Sequence, residues 1–335
     1  MRKNALPFIL LLFFQTLTLT AQDADSTNYP SIQVDGTLKN KYEYASETGN
    51  SRFSVRNSRI GVKGAINSFA SYRAQLELSD NGDFKLLDLY GTLMPAEGLT
   101  FTLGQMGIPL FNSYITTPAT MMFANRAFIG KYFLSTRDLG VMAKYKFLVG
   151  SLPVNLEGGL FNGNAINDPV WKNKLSYGGR IELGSMQGAR VTAKMYNYPK
   201  DETKQFFIYG ADFRYATSKW KVETELMKRE SKSEAFSDLL SYYIQSAYYF
   251  PLNNRFFDRM IPALRWDAVD ETFDQDGFDV NRLTAGLGFG FNRSGYNSIL
   301  RFDYEWYMKN NDMTIFAENP EMDSSKFTVE LVIAF

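Results

Sequence analysis

The chain has 335 residues, 36 basic and 36 acidic, with no His and no Cys. That balance excludes a basic nucleic-acid binder. The missing residue types exclude Ser-His and Cys-His nucleophiles, ordinary zinc sites and disulfides. Aromatics reach 16%, with 28 Phe and 20 Tyr, although the chain is slightly polar on average. A transmembrane β-barrel combines the two, because it needs rings at both lipid interfaces and a polar lumen.

In chain order, Arg2 and Lys3 precede an apolar run from Leu6 to Leu19, followed by the small residues Thr20 and Ala21. This is the order of a secretory signal peptide, and the run is too short and interrupted for a spanning helix. We expect residues 1–21 to be removed, 22–30 to form a short N-terminal segment, and 31–335 to form one outer-membrane barrel. Cleavage takes Arg2 and Lys3 away, leaving 34 basic against 36 acidic residues. No Cys follows the cleavage point, so a lipid-anchored lipoprotein is excluded.

From residue 31 onward, apolar and polar residues alternate. Leu300, Phe302, Tyr304, Trp306 and Met308 interleave with Arg301, Asp303, Glu305 and Tyr307; Phe327, Val329, Leu331 and Ile333 interleave with Lys326, Thr328, Glu330 and Val332. Period two places one greasy and one polar face on each strand. Strands are expected near 31–44, 52–66, 70–80, 84–94, 99–106, 138–149, 152–162 and 174–185. Eight more follow near 188–198, 205–216, 219–230, 238–250, 258–268, 280–292, 296–309 and 325–335. The fold class is therefore an all-β transmembrane antiparallel barrel of about 16 strands.

Connections alternate in length. Turns at 67–69, 95–98, 150–151 and 185–187 are short, whereas 163–173, 269–279 and 310–324 are longer and polar. The longest, 107–137, is the third outer connection. It carries Pro109, Pro118, Arg126 and Lys131 and a weakly helical stretch from Ala119 to Phe128. Met121, Met122, Phe123 and Phe128 favour burial, so it either folds into the lumen as a constriction or lies outside.

If apolar residues face lipid, the opposite parity lines the pore. Arg59, Lys63, Arg73, Lys144, Arg180, Arg190, Arg214, Arg265 and Arg301 are then inward, with Lys146, Lys194 and Lys221. Asp88, Glu77, Glu157, Glu182, Asp212, Glu223, Glu225, Asp267, Asp303 and Glu305 share that face. The slight basic lead, together with Arg137 and Asp138, points to mild anion selectivity. Gly286, Gly288 and Gly290 leave a bare inward stripe, which either receives the long loop or lets the strand curve. Asp270, Glu271, Asp274, Asp276 and Asp279 lack the full calcium-loop pattern. Phe147, Tyr215, Trp220, Phe250 and Phe291 suit an aromatic girdle. No catalytic residue, metal or cofactor is expected.

Several runs in order carry a family resemblance: 53–64 (FSVRNSRIGVKG), 87–90 (LDLY), 103–109 (LGQMGIP), 137–141 (RDLGV) and 159–163 (GLFNG). They resemble the phosphate-selective porin O and P family, and the leader ending Thr20, Ala21, Gln22 resembles Bacteroidetes porins. The resemblance implies a sixteen-stranded trimer with an infolded third loop. The terminal Phe335 is similar to the aromatic read by barrel-assembly machinery. The family's arginine ladder and lysine cluster find no match here, so phosphate does not follow. The expected function is passive diffusion of small hydrophilic solutes or anions by a homotrimer in outer-membrane lipid and lipopolysaccharide, with no nucleic-acid partner. The alternatives are a non-transporting structural or adhesion barrel and a soluble secreted β-sandwich binding polysaccharide.

Overall fold

The computed structural model describes residues 29–335 except 80–81, 113–115, 117–119, 164–165, 168, 202–203, 272, 274–276, 292–297 and 312–323. The expected signal peptide and Pro118 lie outside the described residues.

Eighteen strand segments follow in chain order: β1 Gln33–Ala45, β2 Ser51–Val55, β3 Ser58–Asn67, β4 Ala70–Leu78, β5 Phe84–Ala96 and β6 Leu99–Gly107. Next are β7 Arg137–Val149, β8 Leu152–Phe161, β9 Ser176–Gly184, β10 Gly188–Pro199, β11 Gln205–Ala216 and β12 Trp220–Ser231. The last are β13 Leu239–Tyr248, β14 Phe250–Pro251, β15 Arg259–Asp270, β16 Val280–Gly290, β17 Ile299–Lys309 and β18 Lys326–Ala334. β2 and β3 both pair with β1 and are one strand broken at Arg56 and Asn57; β13 and β14 both pair with β15. The wall thus has sixteen antiparallel staves.

β1 pairs with β18 from Thr37 opposite Ala334 to Ala45 opposite Lys326. This closes the sheet, satisfies every edge and excludes the β-sandwich alternative. At the seam, the Gly36 and Phe335 backbones exchange hydrogen bonds of 2.8 and 3.0 Å. A Cβ on Gly36 would sit 2.3 Å from the Phe335 ring. Gly36→Val is therefore expected to cost about 2 kcal/mol through overpacking, read as a lower temperature for the shift between folded and unfolded gel mobility.

Burial is inverted relative to a soluble protein. Inward Arg180, Arg190, Asp267 and Glu330 are buried, while outward Leu38, Leu103, Leu264 and Trp306 are exposed. Trp220 with Tyr248, Tyr248 with Phe250, and Tyr145 with Phe147 have ring centroids 4.4–5.1 Å apart near the short turns. Tyr242, Trp266 and Phe278 form a second group toward the long loops. Two aromatic groups flanking an apolar band are what a barrel's lipid interfaces require.

The segment 108–136, between β6 and β7, departs from expectation. Described residues from 121 to 128 are not helical; the α-helix among the described residues, α1, is Ile129–Tyr132. Tertiary contacts override the weak local propensity. Buried Phe111, Phe128, Ile129 and Phe133 meet inward apolar residues such as Tyr196, Met227 and Tyr307. A Cβ on Gly286 would approach Phe123 at 3.0 Å, so Phe123 packs over this one glycine of the stripe. Beside Gly288 and Gly290 lie Ile299 and Arg259 instead.

Candidate functional site: a charged lumen and the segment 108–136

Irregular backbone needs hydrogen-bond partners, and here the barrel wall provides them. The Asn112 N–H donates to Glu225 at 2.9 Å, and its side chain joins Arg190 and Tyr243. The N–H groups of Ala124 and Phe128 donate to Asp303 and Asp267 at 2.7 and 3.1 Å. The carbonyls of Thr120, Asn125 and Arg126 accept from Lys221, Arg265 and Arg282. Partners from β10, β12, β13, β15, β16 and β17 thus hold the segment around the inner wall. The guanidinium groups of Arg265 and Arg282 lie 4.7 and 4.4 Å over the Phe123 and Phe128 rings, a cation–π arrangement.

Three cavities meet at this segment. An outer one of about 480 Å³ opens toward the long loops, and an inner one of about 660 Å³ opens toward the short turns. A third space of about 60 Å³ lies between the segment and the wall at Glu223, Glu225, Tyr243 and Arg265. Met121 lines all three.

The outer cavity is strongly basic. Arg59, Arg126 and Arg137 line it with Lys39, Lys85 and Lys326, and Arg56 and Arg282 complete the set; Glu77 is its sole acidic lining residue among those described. Arg59 pairs with Glu77 at 2.6 Å across the β3–β4 ladder, and Arg137 pairs with Asp88 at 2.8 Å. A bulge in the β4–β5 pairing at Gln75 and Leu76 brings Asp88 opposite Gln75. Asn57, in the left-handed region at φ 55°, breaks the wall beside Arg56, which donates to Asn125 at 3.3 Å. Asn is one of the few residues that adopts this conformation readily. Arg126 has no ion pair among the described residues. Burial pushes its guanidinium down to about 10, Arg59 and Arg137 push the same way, and Glu77 opposes them. It remains charged at neutral pH.

Other expected lumen residues are inward but paired. Lys63 and Arg73 share Asp35 at 3.5 and 2.6 Å. Lys144 meets Glu157 at 2.5 Å, Arg180 meets Glu182 at 2.9 Å, and Arg190 meets Asp212 at 2.7 Å. Arg214 lies 3.3 Å from Glu223, Arg265 lies 3.4 Å from Asp267, and Arg301 lies 3.4 Å from Glu330. Asp138 is buried and accepts the N–H groups of Leu139 and Gly163 at 2.8 and 2.6 Å, which fixes the start of the next outer loop. Pro109 is buried where the segment leaves β6, and Lys131 lies on α1. In the acidic outer loop, Asp270 and Asp279 accept backbone N–H groups of Phe273 and Glu271. No metal-binding cluster of acids occurs among the described residues.

Lys39, Lys41, Glu43 and Arg282 were missed by the sequence reading, although their parity marks them as inward. Arg56 and Lys85 carry no such signal, since a strand break and a strand end place them.

A closed sixteen-stave barrel with a charged lumen and a long segment against its inner wall is the fold of outer-membrane porins. No family model and no curated protein matches the chain. Solved structures do. The anion-selective porin from Comamonas acidovorans is similar over 91% of this chain and 99% of its own, at TM-score 0.63 and 15% identity. OmpF of Salmonella typhi, in a complex with daunomycin, is similar over 91% and 98%, at 0.63 and 13%. A loop-deletion mutant of the Vibrio cholerae outer membrane protein OmpT is similar over 92% and 100%, at 0.62 and 11%.

Proposed function

We propose that the chain is an outer-membrane porin through which small hydrophilic solutes diffuse, with anions favoured. The observation that carries this reading is the outer cavity, which eight basic side chains line and in which Glu77 is the sole acidic lining residue among those described, while Asp88, Asp267 and Glu330 pair with Arg137, Arg282 and Lys39 from the wall behind. A low-dielectric wall focuses such a field at a constriction. In this reading segment 108–136 is the constriction loop, residues 1–21 are an export signal, and the barrel assembles as a trimer. Phe335 then serves as the recognition residue for barrel assembly. Likeness to an anion-selective porin supports the anion preference. Phosphate is the first anion to try, since Arg59, Arg126 and Arg137 converge and the motifs resemble a phosphate-selective family.

The test is the reversal potential of the purified protein in planar bilayers across a KCl gradient. Chloride is expected to permeate better than potassium, and Arg126→Gln to reduce the ratio roughly twofold. The preference should fade as salt rises, because screening shortens from about 10 Å at 0.1 M to about 3 Å at 1 M. Equal permeability of both ions at low salt would overturn the anion preference. A correctly folded barrel that conducts nothing would favour the second reading, a structural barrel, for which the segment's hydrogen bonds around the wall already speak.

A further inference from the structure

The inward rows change character near the short turns. On β17 and β18 the pair Arg301 and Glu330 is followed by Ile299 opposite Val332. On β13 and β15, Gln245 opposite Arg265 is followed by Ala247 opposite Ala263, and the inward row of β15 continues through Ile261 to Arg259 at its end. Ala247, Ile261, Ile299 and Val332 form one apolar cluster, with Met122 and Tyr249 packed against it. Gly288 creates the room, because a Cβ there would lie 2.6 Å from Ile299 Cδ1. Inward side chains at this end are apolar, whereas those at mid-wall on the same strands, Arg265, Arg301 and Glu330, are charged.

This cluster contributes Ala247, Ile261, Ile299, Met122 and Tyr249 to the lining of the 660 Å³ inner cavity. Arg214, Lys219, Lys221 and Arg259 line the same cavity. Two carboxylates meet these four cations: Glu223 lies 3.3 Å from both Arg214 and Lys221, and Asp258, which also lines the cavity, lies 3.3 Å from Arg259. In the outer cavity the corresponding pairs close to 2.6 and 2.8 Å. Arg214 Nε lies 3.3 Å from Glu223 Oε1 but makes no hydrogen bond to it. Neighbouring Arg301, whose charge also acts on Lys221 and Tyr249, likewise has three buried guanidinium nitrogens without hydrogen bonds.

We propose that the inner cavity binds small organic carboxylates with a compact apolar body, an aromatic or branched aliphatic acid. The apolar body lies on Ile261, Ile299, Met122 and Tyr249, and the carboxylate faces Arg214, Lys221 and Arg259. The volume suits a small molecule, and the excess of cations complements one negative charge. Inorganic phosphate and acetate satisfy only the charged half. The inference rests on the channel reading in one respect: bulk solute must reach the cavity.

The test is calorimetric titration of the full-length, detergent-folded protein with sodium benzoate, sodium acetate and sodium phosphate. Benzoate is expected to bind about tenfold more tightly than acetate, from burial of its ring. Ile299→Thr should remove most of that advantage while leaving acetate binding unchanged, and Arg214→Gln should weaken both. Met122→Ser, on the loop and outside the barrel wall, repeats the apolar test should Ile299→Thr fail to fold. Equal affinity for benzoate and acetate, or a benzoate affinity untouched by either apolar variant, overturns the proposal. Conductance measured in parallel separates the two readings. A conducting channel without benzoate preference fails this inference alone, whereas a silent barrel that still prefers benzoate supports it and fails only the porin reading.

Discussion

Replacing Asp267 by Asn is expected to lower barrel stability by about 3 kcal/mol, the order found when one member of a buried ion pair is removed. Asp267 is fully buried and accepts two hydrogen bonds from Arg282, at 2.6 and 2.9 Å, and one from the Phe128 N–H at 3.1 Å. The amide keeps the shape and loses the charge. Arg282 is then left with Glu305 at 2.9 Å as its remaining carboxylate, and Glu305 is already shared with Arg265 and Lys326. Urea unfolding followed by gel mobility measures the loss. The double variant Asp267→Leu with Arg282→Met should recover most of it, because no unpaired charge is then buried. A single variant as stable as the parent would show that lumen water replaces the lost partner without cost.

Excising residues 109–135 and joining the ends with a short Gly-Ser linker is expected to raise single-channel conductance roughly threefold, since a barrel of this strand number is otherwise wide. Gly107 and Arg137 are ladder partners on β6 and β7, so a short linker spans the gap without straining the wall. Cavities of about 480 and 660 Å³ lie on either side of the segment, and its removal joins them. Excision also frees Asp303 and Glu225, which accept the N–H groups of Ala124 and Asn112. Anion preference should therefore fall as conductance rises. Unchanged conductance would place the limiting section outside the loop.

The wall was legible in the sequence because one physical rule governs it. Side chains alternate across a strand, lipid demands an apolar outer face, and a one-residue slip would reverse every stave. Thus β16, expected at 280–292, is Val280–Gly290, and β11, expected at 205–216, is Gln205–Ala216. The pairs Arg59 with Glu77 and Arg180 with Glu182 follow from the same parity. Parity also marks Arg282 and Lys39, which the sequence reading passed over.

What parity leaves open is which inward charges face solute and which hold protein. Asp267, Asp303, Arg265 and Lys221 look like pore-lining charges in one dimension, yet in the fold they bind the backbone of segment 108–136. Asp138 likewise secures the Gly163 N–H. The gathering of Arg59, Arg126 and Arg137, and the union of Ile299 with Met122, each join residues from distant parts of the chain. By itself the sequence determined the staves, their faces and the positions of the connections, because periodicity two and the solvent on each side are local constraints. Only the tertiary structure decided where the lumen is basic, apolar or closed, because those properties arise when the barrel shuts and the loop's unpaired backbone groups find partners on its far wall.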